Sequence, residues 1–151
     1  MNSSPKYAIT QLNDQTLTNT TTLTDSELKL WIPAGRKYIF QIFVPFTLGG
    51  VTSGYKFELT LPSGVSFLLQ NTKLINDVSL SFVVTRVDLS VTLINGALAT
   101  AGTHVLEIRG TVVNGSTAGF VVLRFAQNTA DPVNGITLLA GSSLELTEVT
   151  N

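Results

Sequence analysis

The chain has 151 residues, with 9 Lys and Arg against 10 Asp and Glu, one His and no Cys. That length suits a single domain with a core of its own, and a net charge of −1 with only 13% charged residues denies it the concentrated cationic surface on which nucleic-acid and anionic-membrane binding depend. The lack of cysteine excludes disulfides, thiolate nucleophiles and Cys-ligated metal centres.

Residues 1–12 are short of core apolars and carry Pro5, so they read as an amino-terminal arm or an edge strand ahead of one β domain over 13–151. Met1 to Tyr7 has no apolar leader, and no run of about 18 apolar residues follows. The expectation is a soluble chain, made in the cytoplasm of the cell that produces it. Leu28, Leu30 and Ile32 alternate with Glu27 and Lys29, which leaves Trp31 on the opposite parity, facing outward or half covered. Over 36–46, Tyr38, Phe40, Ile42 and Val44 form an apolar face broken by Lys37 and Gln41. The cleanest strand is 55–61, where Tyr55, Phe57, Leu59 and Leu61 alternate with Lys56, Glu58 and Thr60. Val87, Leu89, Val91 and Leu93 repeat the pattern, as do Leu106 and Ile108, and Leu144 and Leu146. Segment 119–126 is apolar on both parities, the mark of a strand covered on both faces by its position or by a neighbouring subunit. Turn chemistry separates these runs, including Pro33-Ala34-Gly35, Pro62-Ser63-Gly64, Asn95-Gly96, Asn134-Gly135 and Ala140-Gly141. Helical periodicity is absent. The fold expected is an all-β, jelly-roll-like antiparallel sandwich of roughly eight to ten strands in one domain.

Chemistry is sparse. His104 is the sole base available to a serine nucleophile, no Gly-x-Ser-x-Gly elbow accompanies it, and it reads as a strand-end histidine at the surface. The stretch 49–56 resembles a phosphate loop superficially but leads into a strand, without the Gly-Lys-Ser/Thr ending. Asp25 and Glu27 share a strand face, whereas Glu145 and Glu148, three apart, point to opposite faces. Arg86, Arg109 and Arg124 lie within strands, with Asp88 and Glu107 as ordinary ion-pair partners. Asn19 and Asn114 begin glycosylation sequons that, without a secretory route, report a polar Thr/Asn/Ser-rich surface. No catalytic residue, cofactor or metal site is expected, and the chain reads as a non-enzyme.

The stretch from Gly110 to Asp131, with Arg124-Phe125-Ala126-Gln127-Asn128-Thr129-Ala130-Asp131 at its end, followed by Ala140-Gly141-Ser142-Ser143-Leu144-Glu145-Leu146, resembles a recurrent module of tailed-bacteriophage virion proteins. The front half agrees through 14–25, Leu28 to Ile32, 33–38 and 54–57, so that the likeness covers about two thirds of the chain and is weakest over 65–99. The resemblance implies a jelly-roll-like sandwich that assembles on the particle, commonly as a homotrimer, with the phage major capsid protein as partner. Head decoration, as a cement protein on the capsid surface, is the favoured location because no fibre-like or enzymatic extension is present. A tail, fibre or baseplate module that binds a receptor or glycan through Trp31 and Tyr55 is the alternative. On this reading Phe120, Val122 and Arg124 form the trimer seam. Lys6, Tyr7 and Ile9, within the arm 6–12, add a strand to a capsid edge, and Trp31 is a further interface residue.

Overall fold

The structure, a computed structural model, describes residues 4–65, 67–75, 84–87, 92–98 and 100–150. Its strands are β1 (Lys6–Thr10), β2 (Gln15–Leu17), β3 (Thr24–Ile32), β4 (Lys37–Leu48), β5 (Tyr55–Thr60), β6 (Phe67–Ile75), β7 (Val84–Val87), β8 (Thr92–Gly96), β9 (Gly102–Val113), β10 (Gly119–Ala126), β11 (Ile136–Leu138) and β12 (Ser143–Glu148). Every ladder among them is antiparallel. They form a large sheet in the order β1-β12-β4-β9-β6-β7, with β11 beside β4 and β2 beside β11, and a small sheet in the order β3-β10-β5-β8.

This order is a jelly roll. If β1 with β2, and β11 with β12, are taken as one interrupted strand each, the large sheet interleaves the first, last, third and sixth strands of an eight-stranded roll. The small sheet then interleaves the second, seventh, fourth and fifth. Such an order arises when a long antiparallel ribbon folds over itself as two Greek keys. The β6–β7 hairpin is an addition between the fourth and fifth strands, laid against the outer side of β9. The alternating run 87–93 is shared between β7 of one sheet and β8 of the other, and residues 88–91 lie outside those described.

Alternation explains the central strand. Tyr38, Phe40, Ile42, Val44, Phe46 and Leu48 of β4 are all buried, and across the sandwich they meet Leu28, Ile32, Phe57, Leu59, Val121, Leu123 and Phe125. Phe46 packs edge-to-face on Phe57, with ring centroids 5.0 Å apart. Pro45 sits where the partner of β4 changes from β12 to β11, a gap in which a missing N–H costs no ladder bond, and its carbonyl accepts from Leu139 N–H at 3.0 Å.

The interruption of the outer strands is itself built. Gln11 is buried, its backbone N–H donating to Ser142 O at 2.8 Å and its carbonyl accepting from Gly141 N–H at 2.9 Å. Its side-chain amide donates to Asn13 O and Leu138 O, so one residue ties the break between β1 and β2 to the break between β11 and β12. Gly54 is needed at the other end of the sandwich, because it has φ of +60° and a Cβ there would collide with Gly96 O.

Candidate interaction surface

The outer face of the small sheet carries the arrangement most suited to a partner. Trp31 of β3 and Phe120 of β10 are register partners, exposed to 53% and 47%. The Lys29 ammonium lies 4.6 Å from the centre of the Phe120 ring, a cation–π contact that holds the ring in place. Next along β10, Val122 also faces outward but is buried, between Lys29 on one neighbouring strand and Thr60 on the other.

Beyond Val122 the pairing with β3 slips, from Val122 opposite Lys29 to Arg124 opposite Asp25. Ser26 fills the resulting bulge: its hydroxyl donates to Leu123 O at 2.7 Å and accepts from Leu28 N–H at 3.1 Å. The slip gives Arg124 its partners. Its guanidinium lies 3.2 Å from Asp25 Oδ1 and 3.1 Å from Glu58 Oε1, and donates to Leu23 O at 2.8 Å. Lys29 lies 3.6 Å from Asp25, so two cations and two carboxylates neutralise one another within the chain. The face is therefore an exposed aromatic corner beside a self-compensated polar cluster. Of the residues read from sequence as a seam, Phe120 offers free surface and stands beside Trp31, whereas Val122 and Arg124 are occupied within the fold.

The other candidates lie on the edge strand β1. Lys6 pairs with Glu145 at 2.8 Å, Tyr7 packs edge-on against Tyr38 at 6.3 Å between ring centroids, and Ile9 is half-buried against the core. Tyr38 itself is fully enclosed, and burial together with the Glu148 carboxylate pushes its hydroxyl up to about 12.

Three expectations are corrected. His104 is not at the surface: it is 1% exposed, opposite Phe46 on β9 with the rings 5.5 Å apart. It shares the parity of Leu106 and Ile108, whose inward alternation carries it into the core. Tyr55 is no stacking platform, since it is buried against Phe46 and Phe57, and desolvation raises its pKa. The sequon residue Asn114 is buried with its amide donating to Pro33 O at 2.7 Å. Glu107 pairs with Arg109 of its own strand at 3.0 Å, and Asp88 lies outside the described residues.

The Arg124–Asp131 segment is a structural lock. Buried Gln127 accepts from Thr20 N–H and Asp131 N–H through Oε1 and donates to Asp131 O and Asn134 O through Nε2. Asp131 in turn accepts from Val133 N–H, Asn134 N–H, the Asn134 amide and the Thr52 hydroxyl. These bonds hold its carboxyl well below the usual carboxylate range. Among the described residues no group of three or more His, Asp or Glu converges as a metal site.

No protein-family model matches the chain, and no curated protein does so. A solved structure of infectious bursal disease virus, Gx strain, overlaps it with a TM-score of 0.25 and 12% identity, over 97% of this chain. The overlap spans 41% of that other chain, less than half its length. The fold described above rests on the strand order.

Proposed function

We propose that the chain is a non-enzymatic virion structural protein of a tailed bacteriophage, seated on the outside of the mature head as a homotrimer that reinforces the lattice of the major capsid protein. The observation that carries this reading is the jelly-roll order of the two sheets, an architecture used by viral capsid and lectin domains, joined to the exposed Trp31–Phe120 corner. The sequence likeness to phage virion modules supports the same class.

The mechanism is mass action. A protein that binds only the mature lattice stabilises each site by RT ln(1 + [L]/Kd), about 2.7 kcal/mol at a hundredfold excess over Kd. A trimer sets three copies of one patch on a threefold junction, so avidity replaces a large single contact. The aromatic corner supplies rigid apolar area, and the internally neutralised Arg124 cluster beside it presents no net charge to repel a neighbour. An exposed Trp on a jelly roll also favours a second reading, a tail-associated module that stacks on glycans. Co-sedimentation with expanded heads lacking the protein, run beside a glycan array, separates the two. Head binding without glycan binding supports decoration, and the reverse overturns it.

A further inference from the structure

The free edge of β1 is self-complementary. On its other side β1 pairs with β12 in the register Lys6 with Thr147, Ala8 with Glu145 and Thr10 with Ser143. Just beyond its ends, Glu148 N–H donates to Pro5 O at 2.9 Å and Gln11 N–H to Ser142 O at 2.8 Å. Hydrogen bonding alternates residue by residue in an antiparallel ladder. The odd-numbered residues therefore bond to β12, and the N–H and C=O groups of Lys6, Ala8 and Thr10 point away from the sheet. Among the described residues nothing pairs with them. Edge strands are ordinarily blunted by charge or proline. Here the Lys6 ammonium is drawn onto its own sheet, 2.8 Å from Glu145, and Pro5, which lacks an N–H, turns its carbonyl to β12.

We propose that this edge pairs with the same edge of a second copy, antiparallel about a twofold axis at Ala8. In that register Lys6 meets Thr10 of the other copy, and Ala8 meets Ala8, so no like charges stand opposite each other and the smallest side chain lies on the axis. Each of these facing pairs exchanges both of its backbone bonds, which satisfies every outward N–H and C=O of the strand. On the inward side Tyr7 meets Ile9 of the other copy, an aromatic facing a β-branched residue. Tyr7 is 38% exposed and Ile9 half-buried in the single chain. A shift of the register by two residues brings Lys6 opposite Ala8 and leaves part of the edge unpaired. The inference stands on this strand alone and not on the virion reading.

The absence of cysteine makes the register directly readable. Facing residues of a bonded pair have Cα atoms about 5.5 Å apart, within the range a disulfide spans. Ala8→Cys is expected to oxidise to a covalent dimer at twice the 16.2 kDa chain. Lys6→Cys and Thr10→Cys, each alone, are expected to give no disulfide-linked dimer, because two copies of either position lie about 13 Å apart along the ladder. A mixture of those two variants cross-links. Adding Ala8→Pro to that mixture removes an outward N–H without touching the β1–β12 ladder, and is expected to lower the cross-linked yield at least tenfold with the thermal transition retained. Failure of Ala8→Cys to cross-link, equal cross-linking by all three single variants, or indifference to Ala8→Pro overturns the proposal.

Discussion

Trp31 and Phe120 face each other directly across the β3–β10 ladder, and about half of each ring system is left uncovered. Exposed cross-strand aromatics add little to the fold of a chain whose core lies on the other face of the sheet, so they are available for a partner. Trp31→Ala and Phe120→Asp are each expected to change stability by no more than about 1 kcal/mol. Each is expected to weaken binding to heads by about 30-fold or more, the loss typical of a central aromatic anchor. Thermal melting and co-sedimentation measure the two effects separately. Retained binding by both variants counts against this face as the docking surface.

Gln127 satisfies two backbone N–H groups and two carbonyls at the junction of three loops from a fully buried position. Gln127→Leu keeps most of the volume and leaves those groups without their partner. A loss of about 2–4 kcal/mol is expected, seen as a fall in Tm of about 5–15 °C. A melt within 2 °C of the parent, on the order of the shift for 1 kcal/mol or less, contradicts the lock.

Asp131 supplies the acid dependence. Its carboxyl is held below its ordinary value of 3.8 by bonds from Asn134, Val133 and Thr52. A depressed folded-state value means that the stabilisation is fully present above the unfolded value and drains away as pH falls through and below it. Thermal stability is therefore expected to drop below about pH 4, with a shallower slope in Asp131→Asn. Parallel slopes in the two proteins contradict this assignment.

The alkaline side belongs to Tyr38. Its hydroxyl titrates near 12 when folded against 10.0 ordinarily, so the folded chain binds its proton more tightly than the unfolded one. Stability is present below the unfolded value and is lost as pH rises from about 10 toward 12. Among the described residues the buried hydroxyl has no hydrogen-bond partner, so Tyr38→Phe is expected to fold as stably as the parent near neutrality and to lose stability less steeply above pH 10. A neutral-pH loss above about 1 kcal/mol argues instead for a hidden partner.

Much of the architecture was legible because alternation in β4, β5 and β9 is unbroken, and a two-residue period admits one face to the core. His104 shows the limit of reading residue type before parity: its neighbours Leu106 and Ile108 already placed it inside. Tyr55 repeats the lesson at the head of β5. The partner of Arg124 was not legible, since the Ser26 bulge shifts Asp25 into place and a bulge leaves no periodic trace. Nor was the adjacency of Trp31 and Phe120, which comes from pairing strands 89 residues apart (120 minus 31). The segment ending in Asp131 carried the sequence likeness, and its side chains are spent on holding loops together. Residues 124–131 therefore explain the fold, whereas the proposed docking corner uses Trp31 and Phe120, which lie earlier in the same matched stretches.

We propose that this chain acts by adhering to a particle rather than by transforming a molecule. Electron cryomicroscopy of purified heads incubated with the protein tests it most directly. Density for the two-sheet body is expected in threes on the outer surface, with the Trp31–Phe120 corner in contact, and is expected to be lost with Phe120→Asp. Heads left bare at saturating protein contradict it.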